Sequence, residues 1–358
     1  MRNYGIWGKP LQIFEMYEDF REDPAVLAAL QEGTGSPEGR ADFPYFLQTV
    51  IRHRVRERYA AVAAKWQQYT GRENAQDFRE TTVSQLNGLW GMDRIPEFGE
   101  YPRLRSSEEP GPAFAVAKHG GIYEVTMELV INDDADTILG RIPREIGRMA
   151  GEYVSLAVVR YIESNPTYID GQPFFSAAHL NELTGTAADP TEDNLVTIVE
   201  NIKMRRDANG VPYALEPRRV LVRSERQKLI FNRILRSQQT GAQTAYTTAA
   251  QGAQVFDRGT INPVYGLLPP DAVIDEPWLN DPNDWYVLAD IADRPGFVVA
   301  FLRGRTEPFI GRLNPEVSAI GGGDDPYTME FDSIPFKVRH IFGVGMGDPN
   351  AMHRMRPT

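Results

Sequence analysis

The apolar positions change period along the chain, and each change marks an element. Between Met1 and Arg40 the pattern is weak. Leu11–Phe20 and Pro24–Leu30 each fit a short helix, parted by Asp23-Pro24, and GTGSPEGR (Gly33–Arg40) reads as a linker. Tyr45–Gln68 fits a helix: Val50, Ile51, Val55, Tyr59 and Val62 form one stripe, with Arg52, Arg54, Arg56 and Arg58 mostly around the rest. Asp93–Tyr123 is broken by Pro96, Gly99, Pro102, Pro110, Gly111, Pro112, Gly120 and Gly121, and is too long for a simple connection. With the alternation of Tyr123–Ile131 beside it, the stretch reads as a two-stranded arm that leaves a body and returns.

Helical spacing then resumes. Asp136-Thr137 offers an N-cap, and Pro143–Glu163 predicts a helix ~30 Å long, ended by Asn165-Pro166. Tyr153–Val159 is apolar almost all round, which predicts burial on several sides. A second helix spans Thr191–Arg206, capped by Thr191, with Glu192 and Asp193 in its positive first turn and Asn209-Gly210 as its stop. A strand at Arg219–Arg223 leads through Ser224 into a third helix containing Leu229, Ile230, Ile234 and Leu235, a small α+β unit. Ser237–Gln254 is polar and uncharged and reads as a loop. The last third reads as β: Trp285–Ile291 alternates, Phe297–Leu302 is a continuous apolar run, and Phe336–Val344 alternates again. No internal repeat is visible.

Composition narrows the chemistry. Of 358 residues, 42% are apolar and 24% charged, the balance of a globular chain, and no run of eighteen apolar residues offers a membrane span. Glu15, Glu18 and Asp19 fall where a signal peptide needs an apolar run, so export is not expected. There are no cysteines, which excludes disulfides, thiolate metal sites and cysteine nucleophiles. A net charge of -11 argues against generic nucleic-acid binding and makes copies of the chain repel at low salt.

Candidate chemistry is sparse. Ser176 and His179 lie three apart, the residue types of a nucleophile and its base, but no GxSxG elbow accompanies them. The bland reading is a turn with locally satisfied polar groups. The acidic run Asp133, Asp134, Asp136 and the pair Asp324-Asp325 lack EF-hand spacing. Gly343, Gly345 and Gly347 follow a strand, yet no helix of a dinucleotide site fits in the residues that remain. The histidines at 53, 119, 179, 340 and 353 form no metal motif. Arg52, Arg54, Arg56 and Arg58 are candidates either to face nucleic acid or to pair across an interface.

The order of parts carries a resemblance. LQTVIRHRVRERY (Leu47–Tyr59), LVINDDADTILGRIPREIGRMAGE (Leu129–Glu152), DGQPFFSAAHLN (Asp170–Asn181) and MRRDANGVPYALEPRRVLV (Met204–Val222) resemble blocks of the HK97-like tailed-phage major capsid proteins, with the closest likeness to the Mu-like major head subunits. The resemblance implies an α+β fold with an N-terminal arm and helix (1–80), an extended E-loop (81–125), a P-domain with spine helix (126–190), an A-domain (191–280), returning P-domain strands (281–345) and a C-terminal tail (346–358). It implies pentamers and hexamers closing into an icosahedral shell around double-stranded DNA, assembled in the host cytoplasm. Portal, scaffold and cement or decoration proteins are the implied partners. No catalytic residue, cofactor or metal is implied. Arg103, Leu104, Arg105, Glu108, Glu109 and Phe114 are then expected at an inter-subunit contact of the E-loop. Some such shells crosslink a lysine on this loop to an asparagine; Asp93–Ala117 has no lysine, so no such crosslink is expected. The same fold in encapsulin-type nanocompartments leaves protein cargo as an alternative to DNA.

Overall fold

The computed structural model describes residues 43–357 apart from 64, 83–84, 91–93, 96, 98–99, 102–104, 110, 127, 129–140, 207–209, 211, 239–261, 263, 293 and 313–332. The two expected N-terminal helices, the Asp136-Thr137 cap, the acidic clusters and most of Ser237–Gln254 lie outside the described residues.

In chain order the elements are α1 (Phe43–Ala63), a 3-10 turn (Trp66–Gln68), β1 (Gly71–Ala75), β2 (Thr81–Thr82), β3 (Gln85–Trp90), β4 (Arg105–Glu109), β5 (Ala113–Phe114), β6 (Ala117–Thr126) and α2 (Ile142–Glu163). There follow β7 (Glu182–Thr184), α3 (Glu192–Lys203), β8 (Pro217–Val222), α4 (Glu225–Arg236), β9 (Val273–Asp275), β10 (Trp285–Ala289), β11 (Phe297–Leu302), β12 (Phe309–Arg312), β13 (Ser333–Met346) and β14 (Met352–Arg356). This is an α+β chain, and the order of arm, long helix, α+β unit and returning strands is the HK97-like order expected above.

The local chemistry sets the ends of the helices. Pro143 lies in the first turn of α2, where a missing N–H costs nothing. The helix stops where Asn165 takes a left-handed φ of 47°. Thr191 Oγ1 accepts from the Asn194 N–H at 3.3 Å to start α3, and Ser224 Oγ accepts from the Gln227 N–H at 3.3 Å to start α4. The helix α3 ends before its expected glycine stop. Arg205, just past it, is held instead by the carbonyls of His179, at 2.8 Å, and Leu180.

Two five-stranded sheets form the body. In the first, β1 pairs parallel with β11, β11 and β12 pair antiparallel with β13, and β6 runs antiparallel along β13 from Ser333 to Phe342. The second has the order β7-β14-β10-β8-β9. The central core lies between the sheets and the two long helices. It takes Tyr59, Trp66, Val154, Val158 and Ile162 from the helical side, Phe297 and Phe301 from the first sheet, and Tyr286 and Met352 from the second. On the other face of the second sheet, Leu195, Ile198 and Ile202 of α3 and Phe231 of α4 close over Val220, Val222, Trp285 and Val287.

Three differences from the sequence pattern have physical causes. The strand expected from Tyr123 begins at Ala117, because the backbone of β13 offers a ladder that tolerates Gly120 and Gly121. The arm is present as the isolated two-stranded sheet of β3 and β4, which starts earlier than Asp93. MHRMR, expected within a tail, forms β14 in the interior of the second sheet, between β7 and β10.

Candidate functional site

Ser176 and His179 sit in the loop after α2, and packing decides its shape. Phe174 and Phe175 are fully buried in the central core. Asn165 brackets Phe175 like a strand partner, accepting from its N–H at 2.7 Å and donating Nδ2 to its carbonyl at 3.0 Å. The buried Asn181 donates Nδ2 to the carbonyls of Phe174 and Pro349 and accepts from the Ser176 N–H. Within this frame Ser176 Oγ accepts from the backbone N–H of His179 at 3.2 Å. The His179 ring turns elsewhere, with Nδ1 2.9 Å from the Phe174 carbonyl and Nε2 2.8 Å from the Asp170 carboxylate. Neither ring nitrogen reaches the serine, so the pair lacks the geometry of a nucleophile and its base. It is a turn.

The glycines at the end of β13, Gly343 and Gly345 within it and Gly347 just past it, have an equally structural purpose. A Cβ at Gly343 would lie 2.4 Å from the Ala115 carbonyl, one at Gly345 2.4 Å from the Phe114 ring, and one at Gly347 2.0 Å from the Pro295 carbonyl. The base of the arm lies directly on β13. Phe114 is therefore buried with Val116, Val298 and Ala300 of its own chain. Of the other arm residues, Arg103 and Leu104 lie outside the described residues. Arg105 pairs in register with Trp90, Glu108 with Leu86 and Glu109 with Gln85.

The four arginines of α1 do not share a face. Residues two apart on a helix point ~200° apart, so 52 and 56 fall on one side and 54 and 58 on another. Arg52, Arg56 and Arg58 are exposed, but Arg54 is only 4% exposed. Arg56 reaches Glu307 at 2.7 Å in an open surface pair, of a kind worth ~0–1 kcal/mol.

Sequence reasoning missed one surface. The apolar stretch of α2 is not buried all round, since Tyr153 is 43% and Met149 53% exposed. Beside them on β6, Ile122 is 70% exposed and Tyr123 also open. Met149, Ile122 and Tyr123, with Arg141, Ile142, Glu145, Ile146, Arg148 and Val338, line a groove of about 470 Å³. The helix pattern held the signal, because an all-round apolar stretch exceeds what one chain covers.

Residues 111–355 match the family model described as phage capsid protein. The chain belongs to the phage capsid protein family. Solved structures similar to this capsid protein include one from Mycobacterium phage Bobi, at 14% identity and a TM-score of 0.48, covering 83% of this chain and 90% of that one. Another, from Microbacterium phage Oxtober96, has 13% identity and a TM-score of 0.48, with 83% and 91% covered. A virus-like particle from Pyrococcus furiosus has 13% identity and a TM-score of 0.40, covering 85% and 98%. No curated protein matches. The family places this capsid protein in the virion as a component of an icosahedral shell and points to a structural role. Among the described residues no helix is long and apolar enough to cross a membrane.

Two buried histidines give the capsid protein an acid limit. His340 lies among Tyr59, Phe301 and Phe342, and its Nε2 donates to the Thr306 carbonyl at 3.0 Å. Burial pushes it down to about 4. His353 on β14 is pushed down to about 3, first by burial and then by the Arg205 charge. The folded state therefore prefers both neutral, while the unfolded chain takes up their protons from ~6.5 downward. Their stability contribution is complete above pH ~6.5 and is lost as pH falls toward 4 and then 3, each a few kcal/mol at most. Burial holds Glu276 and Asp284 above the usual carboxylate range and works in the opposite sense. Urea midpoints of the unassembled subunit should fall from pH 7 to pH 4, with a shallower fall in His340→Phe. A flat profile would contradict the assignment.

Proposed function

We propose that this chain is the major head subunit of a tailed phage, assembling as pentamers and hexamers into a shell that encloses double-stranded DNA. The observation that carries this reading is the arm. Among the described residues β3 and β4 pair only with each other, and an isolated two-stranded ribbon is marginal in water. It gains stability when a neighbouring copy covers it, and repeated head-to-tail contacts of that kind close into rings. In this reading Arg103, Leu104, Arg105, Glu108 and Glu109 meet the neighbour, and the sheet of β13 with α1 and α2 is the P-domain. The second sheet with α3 and α4 is the A-domain, and β10, expected among the returning P-domain strands (281–345), is assigned to it because it pairs with β8. Arg52, Arg56 and Arg58 are the exposed arginines offered to DNA or to an adjoining subunit. In this reading the shell is held by buried contacts and a cement protein, not by covalent links, since Asp93–Ala117 has no lysine. Assembly in the host cytoplasm, on a portal and with a scaffold, completes the proposal.

Negative-stain microscopy with sedimentation tests it. Rings of five and six or closed shells are expected, and they should form more readily as moderate salt screens the charge of -11 per copy. A monomer or dimer that persists across salt and concentration would overturn the reading. Nuclease-protected nucleic acid inside purified particles separates a DNA shell from an encapsulin-like shell carrying protein.

A further inference from the structure

The outer layer of the second sheet carries charge that its own chain does not use. On α4 the positions turned away from the buried Phe231 and Leu235 include Arg226, Leu229 and Arg233, all exposed. Leu229 is 62% exposed, and Ile230 beside it 38%. On α3 the positions turned away from the buried Leu195, Ile198 and Ile202 include Asp193, Thr197 and Glu200, all exposed as well. Among the described residues neither arginine side chain and neither carboxylate has an ion-pair or hydrogen-bond partner. Other charges of α4 are committed: Lys228 reaches Asp275 at 2.8 Å and Glu225 at 3.6 Å.

We infer that the α4 face of one copy seats on the α3 face of another copy of this chain. The inference rests on the reading that copies assemble, and adds where one of their contacts lies. Spacing is the first argument. Arg226 and Arg233 are seven residues apart, and so are Asp193 and Glu200. Seven residues advance ~10.5 Å along a helix and return within ~20° of the same side. Laid together in either direction, the two helices therefore bring both arginines to both carboxylates.

The second argument is that one chain cannot make these pairs by itself. Both helices cover the same face of the second sheet, packing over Val220, Val222, Trp285 and Val287. Their outer faces point the same way and do not meet. The third argument is the chemistry between the charges. Phosphates ask only for cations, whereas Leu229 and Ile230 put an apolar centre beside the arginines, the make-up of a protein contact. The acids of α3 would also repel a nucleic acid lying across the layer.

Two full-length chains test the pairing. In one, Arg226→Glu with Arg233→Glu makes both stripes acidic; in the other, Asp193→Lys with Glu200→Lys makes both basic. In sedimentation at moderate salt, each alone should need about tenfold more protein than the parent to assemble. An equimolar mixture should assemble near the parent concentration. The second chain is the sharper arm, because it is less negative than the parent and repulsion alone would make it assemble more readily. Asp193→Asn with Glu200→Gln, a milder change on an exposed face, should weaken assembly in the same sense. Swapped chains that assemble as readily as the parent, or a mixture that stays apart, would overturn the inference. So would normal assembly of the Arg226→Glu, Arg233→Glu chain with loss of bound DNA, which would give the face to nucleic acid. A parent that never assembles overturns the shell reading and this contact with it, so the parent alone tells the two failures apart.

Discussion

Gly147→Val is expected to cost the subunit ~3 kcal/mol or more, enough to remove much of the stability of an ordinary domain. The reason is the closeness of α1 and α2. A Cβ on Gly147 would stand 2.6 Å from the Val55 carbonyl oxygen, 3.0 Å from the Arg58 Cβ and 3.2 Å from the Tyr59 nitrogen. Two of these atoms belong to a helix backbone and cannot swing aside. One turn on, a Cβ at Gly151 would meet the Val62 side chain at 2.8 Å. Valine at 147 therefore forces the helices apart and opens the core at Tyr59, Ala150 and Val154. Alanine is the sharper diagnostic, because in a free helix it would gain ~1 kcal/mol over glycine. Gly147→Ala should nonetheless destabilise. Gly121→Ala, with no atom within 4 Å of its new Cβ, should fall within ~0.5 kcal/mol of the parent. Urea unfolding measures all three, and a stabilised Gly147→Ala would mean that the helices do not touch there.

Arg354→Met is expected to cost ~3–5 kcal/mol, chiefly through what it leaves behind. Arg354 is 5% exposed in the interior of the second sheet, and its Nε and Nη2 donate to Glu182 Oε1 at 3.1 and 2.6 Å. Its guanidinium lies 4.9 Å over the Phe175 ring, and its backbone N–H donates to the Asn181 carbonyl at 2.8 Å. Without the cation, Glu182 is left half-buried with no counter-charge. Removing both charges avoids that penalty, so Arg354→Met with Glu182→Leu should recover most of the loss. If the double variant is as unstable as the single one, the ion pair is not what ties β7 to β14.

The residues most readable from sequence were those whose role is local. The helix Pro143–Glu163 was legible from its 3.6 period and its proline, and the starts of α3 and α4 from Thr191 and Ser224, because caps and periodicity act within a few residues. The run Phe297–Leu302 was legible as a buried strand for the same reason. The family resemblance lay in blocks of this kind too, and DGQPFFSAAHLN owes its form to local packing, with Phe174, Phe175 and Asn181 fixing the loop. Ser176 and His179 look like chemistry in one dimension, and only the direction of the imidazole shows that they are not.

What the chain by itself determined was therefore its class and its order of elements: an α+β subunit with no thiol chemistry, a long helix, a Gly/Pro-broken arm and strands at the end. Tertiary structure decided everything that depends on partners far apart in sequence. MHRMR reads as a charged tail, yet β14 lies inside a sheet because Glu182 and the Phe175 ring, some 170 positions away, receive Arg354. Gly343 and Gly345 read as a fragment of a nucleotide motif until Phe114 and Ala115 are seen lying on them. Arg54 reads as solvated and is buried, while Tyr153 reads as core and is open. Periodicity tells which side of a helix is apolar. Which of those sides its own fold covers depends on long-range packing, and the face left bare on α2 is where this subunit has surface to offer.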